Sequence, residues 1–207
     1  MKYFKTLPSI YQSDFNGNYV VVTNLLTRAY LLPSLQNNVN IYYDYTVKDF
    51  DKPESIAYKY YNDQYRYWMI LYANNIFDPL SQWPLSYENL MLQLTDKYKS
   101  DANGMPVISY TQSVIHHYEK IITTYNNVDD KKTSITIEID SDTYTNLMPS
   151  VKSNTLPDGS IVTQEIQKTY VTLYDYELSQ NENKRKIKLI KDVYATDMES
   201  KLSSLMS

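Results

Sequence analysis

The residues that most often carry chemistry are sparse and badly spaced for it. The two histidines, His116 and His117, are adjacent. On a strand, neighbouring side chains leave opposite faces, so the pair is expected to lack the common side that chelating one metal ion needs. They read as a half-exposed pair in a hairpin, and no metal centre is expected. Asp140-Ser141-Asp142 begins as a calcium loop begins. Tyr144, however, stands where a third oxygen ligand belongs, and the glycine of the sharp turn is missing, so a solvated turn is expected. Glu138 and Asp140 lie two apart on one strand face, with nothing nearby to split their pKa values as glycoside hydrolysis requires. The sequence holds no Gly-x-Ser-x-Gly elbow, no His-Glu-x-x-His and no phosphate loop. Cysteine is absent, which removes disulfides, thiolate metal sites and a thiol nucleophile. No enzyme activity and no cofactor are expected. Lys184-Arg185-Lys186-Ile187-Lys188 is the one basic cluster, and Glu177, Glu182 and Asp192 flank it. It reads either as a solvated, salt-bridged face or as a docking site for an acidic partner surface.

Composition narrows the function classes further. The balance of 20 basic against 24 acidic residues leaves a net charge of −4, so no basic field attracts nucleic acid. The longest wholly apolar run, Trp68 to Ala73, falls far short of the ~20 residues that span a bilayer. Met1 to Pro8 lacks the continuous apolar stretch of a signal peptide, and a soluble chain made in a reducing cytoplasm is expected. With 43% hydrophobic residues, a packed core is expected rather than disorder. Only 3 glycines stand against 23 tyrosines. Scarce glycine argues against phosphate-cradling loops. Tyrosine supplies rigid contact area with a polar tip, which suits protein–protein and protein–sugar surfaces. Drift in an AT-rich genome gives the same excess.

The elements that would position these residues predict an α+β fold in four segments. Residues 1–40 read as an N-terminal arm, with Asn24 capping a short helix through Leu25, Leu26, Ala29 and Tyr30 that Pro33 limits. Residues 41–99 carry the clearest periodicity. Ile41 to Val47 is β-branched and aromatic, hence a strand. Pro53 and Glu54 start a helix with Ile56, Ala57 and Tyr60 on one face. Asn62-Asp63 breaks it and caps a second helix with Tyr65, Trp68, Met69 and Tyr72 at helical spacing. Ile76-Phe77 reads as a short strand ended by Asp78-Pro79. Ser86 caps a third helix with Tyr87, Leu90, Met91, Leu94 and Tyr98 on one stripe. Residues 100–168 turn to period two, and strands are expected at Val107–Tyr110, Ser134–Ile139 and Ile161–Thr163, with turns at Asn126-Asn127, Asp129-Asp130 and Pro157-Asp158-Gly159. Residues 169–207 read as a docking segment: a strand over Ile187–Ile190, then a helix that Asp192 caps, with Tyr194, Met198, Leu202 and Leu205 as its stripe.

Two resemblances rest on these residues. Tyr45-Thr46-Val47-Lys48, Asp51, Ile56-Ala57, Lys59-Tyr60 and Asn74-Asn75 resemble the LysM module, which folds as strand, helix, helix, strand and often binds N-acetylglucosamine polymers. Where such modules keep a small Gly-Asp-Thr type loop, this chain has the bulkier Asp49-Phe50-Asp51-Lys52-Pro53. A longer set is similar to the wedge-clamping baseplate subunit of contractile-tailed bacteriophages. It comprises Lys52 to Ala57, Tyr67-Trp68, Asn74-Asn75, Asp78-Pro79, Trp83-Pro84 and Lys97-Tyr98, then Tyr176-Glu177-Leu178, Asn181-Glu182, Lys184-Arg185 and Ile187 to Ile190. This resemblance implies a structural protein of the virion tail that joins a wedge in the host cytoplasm. It would then bridge to the neighbouring wedge, so that six wedges close around the hub. It implies no catalytic residue, and its partners would be other wedge subunits, with neither nucleic acid nor membrane. Ile56, Trp68, Asp78 and Trp83 are the domain-defining positions it implies, which core packing and a turn cap also explain. Arg185, Ile187 and Leu189, with Tyr194 and Leu202 of the last helix, are the candidate docking residues. The alternative is a LysM-type module that binds peptidoglycan or chitin.

Overall fold

Short apolar stripes and two long alternating strands give the chain an α+β fold, seen in a computed structural model that describes residues 3–27, 38–128 and 130–206. These residues form two compact units, residues 1–87 with 181–207 and residues 88–180. The chain leaves the first unit at Tyr87 and re-enters it at Asn181.

In the first unit a hairpin pairs β1 (Ser9–Ser13) with β2 (Tyr19–Thr23). Asp14 accepts from the Asn16 and Asn18 amides, and Gly17 supplies the positive φ that closes the turn. Asn24 accepts from the Leu26 amide in a turn rather than a helix. Ala29, Tyr30 and Pro33, to which the expected helix extends, lie outside the described residues, as does Asp129 of the expected turn. β3 (Tyr42–Thr46) is followed by α1 (Pro53–Tyr61), which starts on Pro53, where a missing N–H costs nothing. Asp63 caps a 3-10 turn at Gln64–Arg66 that runs into α2 (Tyr67–Ala73). Tyr65 therefore precedes the helix and stays outside, while Trp68, Met69, Ile70 and Ala73 turn inward.

Ile76-Phe77 is not a strand. The antiparallel partner of β3 is instead β8 (Lys186–Ile190), with Tyr42 opposite Ile190 and Thr46 opposite Lys186. Residues 78–82 form a helix that the sequence reading omits, α3 (Pro79–Gln82), with Asp78 as N-cap on the Leu80 amide and Pro79 in the first turn. α4 (Tyr87–Tyr98) follows, and Leu90 and Leu94 are its buried residues.

The last helix, α8 (Ala195–Met206), follows a 3-10 turn at Asp192–Tyr194. Its inward stripe is Ala195, Met198, Leu202 and Met206, which keeps Met198 and Leu202 of the expected set. Leu205 faces out, and Tyr194 lies in the 3-10 turn before the helix. The core of this unit collects Ile56, Ala57 and Tyr61 of α1, the inner face of α2, Ile187, Leu189 and Ile190 of β8, and the stripe of α8.

The second unit is built on one four-stranded antiparallel sheet ordered β5-β4-β7-β6. Its strands are β4 (Ile115–Asn126), β5 (Lys131–Ile139), β6 (Ser150–Thr155) and β7 (Ile161–Thr172). Val107–Ser113, expected to start a strand, is the helix α5 instead, led in by Pro106. A run of four apolar and small residues does not distinguish the two states by period. α6 (Ser141–Asn146) is capped by Asp140, whose carboxylate accepts from the Asp142 and Thr143 amides. Asp140 is thus a helix cap, not a strand-face partner of Glu138. α7 (Leu173–Asn183) leads the chain out of this unit.

Candidate functional site

Site chemistry in the first unit is dominated by links that tie the chain's C-terminal part to residues 41–87. Arg185, a candidate docking residue, has its guanidinium engaged within the unit. It donates to Glu182, to Asp49 at 2.6 Å, and to the carbonyls of Val47 and Leu85. Its burial opposes the charged form, yet the two carboxylates hold its pKa above the ordinary value. Ile187 and Leu189 keep only 4% and 1% of their surface exposed, because β8 lays them into the unit's own core. Leu202 is buried beside them in that core, whereas Tyr194 is exposed. Of the five candidate docking residues, Tyr194 alone offers an open side chain, and Arg185 offers an ion-paired one. Within the basic cluster Arg185 is ion-paired, and Lys184 donates to the Ser81 carbonyl.

The four positions expected to define the domain lie on α1 (Ile56), on α2 (Trp68), at the start of α3 (Asp78) and against the loop at 49–53 (Trp83). Trp83 Nε1 donates to the Asp51 carbonyl at 2.9 Å, while the Asp51 carboxylate accepts from Tyr45 Oη and the Lys48 amide. Burial, reinforced by Asp51, pushes the Tyr45 hydroxyl up to about 12. Phe50 sits inside this pinned loop at φ 69, a left-handed conformation that costs a bulky side chain roughly 1–2 kcal/mol. It is 79% exposed, so little of its ring packs against the described residues. Ile56 and Trp68 lie in the core. Asp78 caps α3 and also accepts from Ser81 Oγ, which leads the causes holding its carboxyl below the usual range.

Trp68 also lines a cleft of ≈ 300 Å³ with Tyr3, Phe4, Tyr67, Tyr72 and Phe77. Its Nε1 is buried without a hydrogen-bond partner among the described residues. Asn181 is buried and pairs with both backbone groups of Leu85, accepting from the amide and donating to the carbonyl. Asn181-Glu182 belongs to the block that carries the wedge-subunit resemblance, but nothing in its local spacing shows that Asn181 pairs with Leu85.

In the second unit the two histidines depart from expectation. A bulge in β4 between Ile115 and His117 breaks the alternation, and the two Nδ1 atoms lie 2.8 Å apart. His116 stacks on Tyr176 at 3.8 Å, and His117 Nε2 faces Glu119 at 3.3 Å. No group of three or more metal-ligating side chains forms among the described residues. Glu177 accepts from Tyr98 Oη and Lys97 Nζ. Burial works to raise its pKa, but those two donors outweigh it and leave the carboxyl below the ordinary value.

Among the described residues, no helix is long and apolar enough to cross a membrane. No curated protein matches the chain. Residues 19–207 match the family model described as Base plate wedge protein 53. Because that match spans nearly the whole sequence, the chain belongs to this family of phage baseplate wedge proteins, structural parts of the virion tail that interact with other baseplate components.

Proposed function

We propose that this chain bridges adjacent baseplate wedges, so that six wedges close into a ring around the hub after the chain has joined its own wedge in the host cytoplasm. The observation that carries the reading is Phe50, strained at φ 69 and open to solvent at the apex of a loop held by Asp51. A strained, largely exposed aromatic is suited to anchor an outside partner, because aromatic anchors dominate interface energies. Two further open apolar side chains are Val193, in the 3-10 turn before α8, and Leu205 of α8, each about four-fifths exposed. In this reading the LysM-like segment serves as a scaffold, and neither nucleic acid nor membrane takes part.

Phe50→Gly separates folding from assembly. Removing the strain should raise thermal stability by about 1 kcal/mol. The same variant should leave a larger share of wedges unclosed when they are reconstituted and viewed by electron microscopy. Normal ring yield with Phe50→Gly, and also with Val193→Asp plus Leu205→Asp, would contradict the proposal.

A further inference from the structure

The four-stranded sheet of the second unit has two unlike faces. The register places Ile122 opposite both Ile135 and Ile166, forming an isoleucine row across three strands. Ile137 extends that row along β5, opposite Lys120. The same face bears Lys120 and Lys168 on one side of the row, and Lys131 and Lys152 on the other. No carboxylate belongs to this face of the four strands, so it carries four positive charges and no negative one. The reverse face carries Glu119 directly opposite Glu138, with Glu165 further along, and a single lysine, Lys132. A sheet normally covers its apolar face with another layer. Here Ile135 and Ile137 remain 57% and 44% exposed. The end near Tyr118 is covered by α6, whose Tyr144 packs on Tyr118 at 4.4 Å between ring centres and whose Tyr144 carbonyl accepts from Lys168 Nζ.

We propose that this isoleucine face docks an amphipathic helix of another baseplate component, one whose apolar stripe is flanked by aspartate and glutamate. The proposal rests on the chain's place in the baseplate and names the kind of partner that place requires. The apolar row selects for an apolar stripe, and a lysine border without acids selects for carboxylates beside it. The chain already seats a helix of its own on this face through Tyr144, so the surface accepts helical packing. Two copies related by a two-fold axis would bring lysines against lysines, which disfavours self-pairing through this face.

The test places a photo-crosslinking benzoylphenylalanine at Ile135 in the full chain, within phage particles, with Thr136 on the reverse face as the control site. The expected result is an adduct at Ile135 with a peptide of another baseplate protein that sets Asp or Glu beside an apolar helical stripe. The Thr136 probe should yield at least tenfold less of that adduct. Lys131→Glu with Lys152→Glu, both at exposed positions, should lower the Ile135 yield at least tenfold while the thermal melt stays in place. An adduct with a second copy of this chain, with phospholipid or with a peptide lacking carboxylates overturns the proposal, as does an unchanged yield in the lysine variant. Particles that contain the chain but give no adduct overturn this proposal alone. Particles without the chain overturn the baseplate reading and this proposal with it.

Discussion

Tyr61 Oη donates a 2.8 Å hydrogen bond to the carbonyl of Ile190, a residue 129 positions further along the chain. The bond is buried and joins α1 to β8, the strand that also pairs with β3. Burial pushes the Tyr61 hydroxyl far up, so it stays a neutral donor across the working pH range. The C-terminal residues are thus part of the core of the first unit, not an appendage to it. Arg66 reinforces the closure with a two-pronged pair to Glu199 of α8 and a contact to Asp192.

Removing residues from Asn181 onward should therefore unfold the first unit. The truncation deletes the partner of β3, uncovers Ile56, Met69 and Ile70, and leaves the Arg66 guanidinium without its carboxylates. Circular dichroism with a thermal scan checks this. The expected outcome is loss of the helical signal of α1 and α2 and loss of a cooperative melt. A soluble fragment that keeps both would show that residues 41–87 hold a core alone.

Trp68 separates the value of ring volume from the cost of its polar atom. Trp68→Ala should cost about 3–5 kcal/mol, the range for a large buried aromatic. Trp68→Phe removes a buried, unpartnered N–H together with some volume, and an unmet donor costs roughly 1–3 kcal/mol. The two effects oppose each other, so Trp68→Phe should stay within about 1 kcal/mol of the parent. Chemical denaturation of both variants decides it. A Phe variant as damaged as the Ala variant would mean that the indole N–H is satisfied in solution.

Acid sensitivity of the second unit should trace in part to Glu177. Its folded pKa lies below the ordinary glutamate value of 4.5. The carboxylate therefore adds stability above that value, and the gain is lost as pH falls from 4.5 through the depressed folded value. Lys97, which the same contact raises above 10.5, adds a matching loss at high pH. Glu177→Gln should flatten the acid limb of a plot of urea midpoint against pH. The helix cap Asp140 and the turn residue Asp158 are depressed too, so part of the limb should remain. An unchanged limb would mean that Glu177 ionises as a free side chain does.

Local signals in the sequence located some elements and left β1, β2, β4, β6, α6 and α7 unmarked. Pro53 with Glu54 marks the start of α1, the Leu90 and Leu94 spacing marks α4, and alternation marks β5 and β8. What escaped was set by distant or subtle geometry. Nothing near Tyr42 says that its strand partner is Ile190, because pairing across so many residues leaves no local pattern. The same gap made Ile187 and Leu189 look like free docking residues when they fill the unit's own core. The bulge that turns His116 towards His117 breaks the period-two rule on which the opposite-face expectation rests. α3 was legible and overlooked, since Asp78-Pro79 is a capping residue followed by a proline in the first turn.

The likeness to sugar-binding modules should not extend to sugar binding. The loop at 49–53 is pinned by Tyr45, the Lys48 amide and Trp83, and it presents Phe50 where those modules keep small residues. Calorimetric titration with an N-acetylglucosamine tetramer should show no saturable heat. Saturable binding that is lost on mutation of residues 49–53 would point to a glycan module instead.

Cryo-electron microscopy of the assembled baseplate, at a resolution that traces each subunit, tests the bridging role most directly. The account predicts that every copy of this chain contacts two adjacent wedges, with Phe50 or the outer face of α8 buried against the neighbour. A map in which all contacts of each copy fall within a single wedge, and both surfaces stay open to solvent, would contradict it.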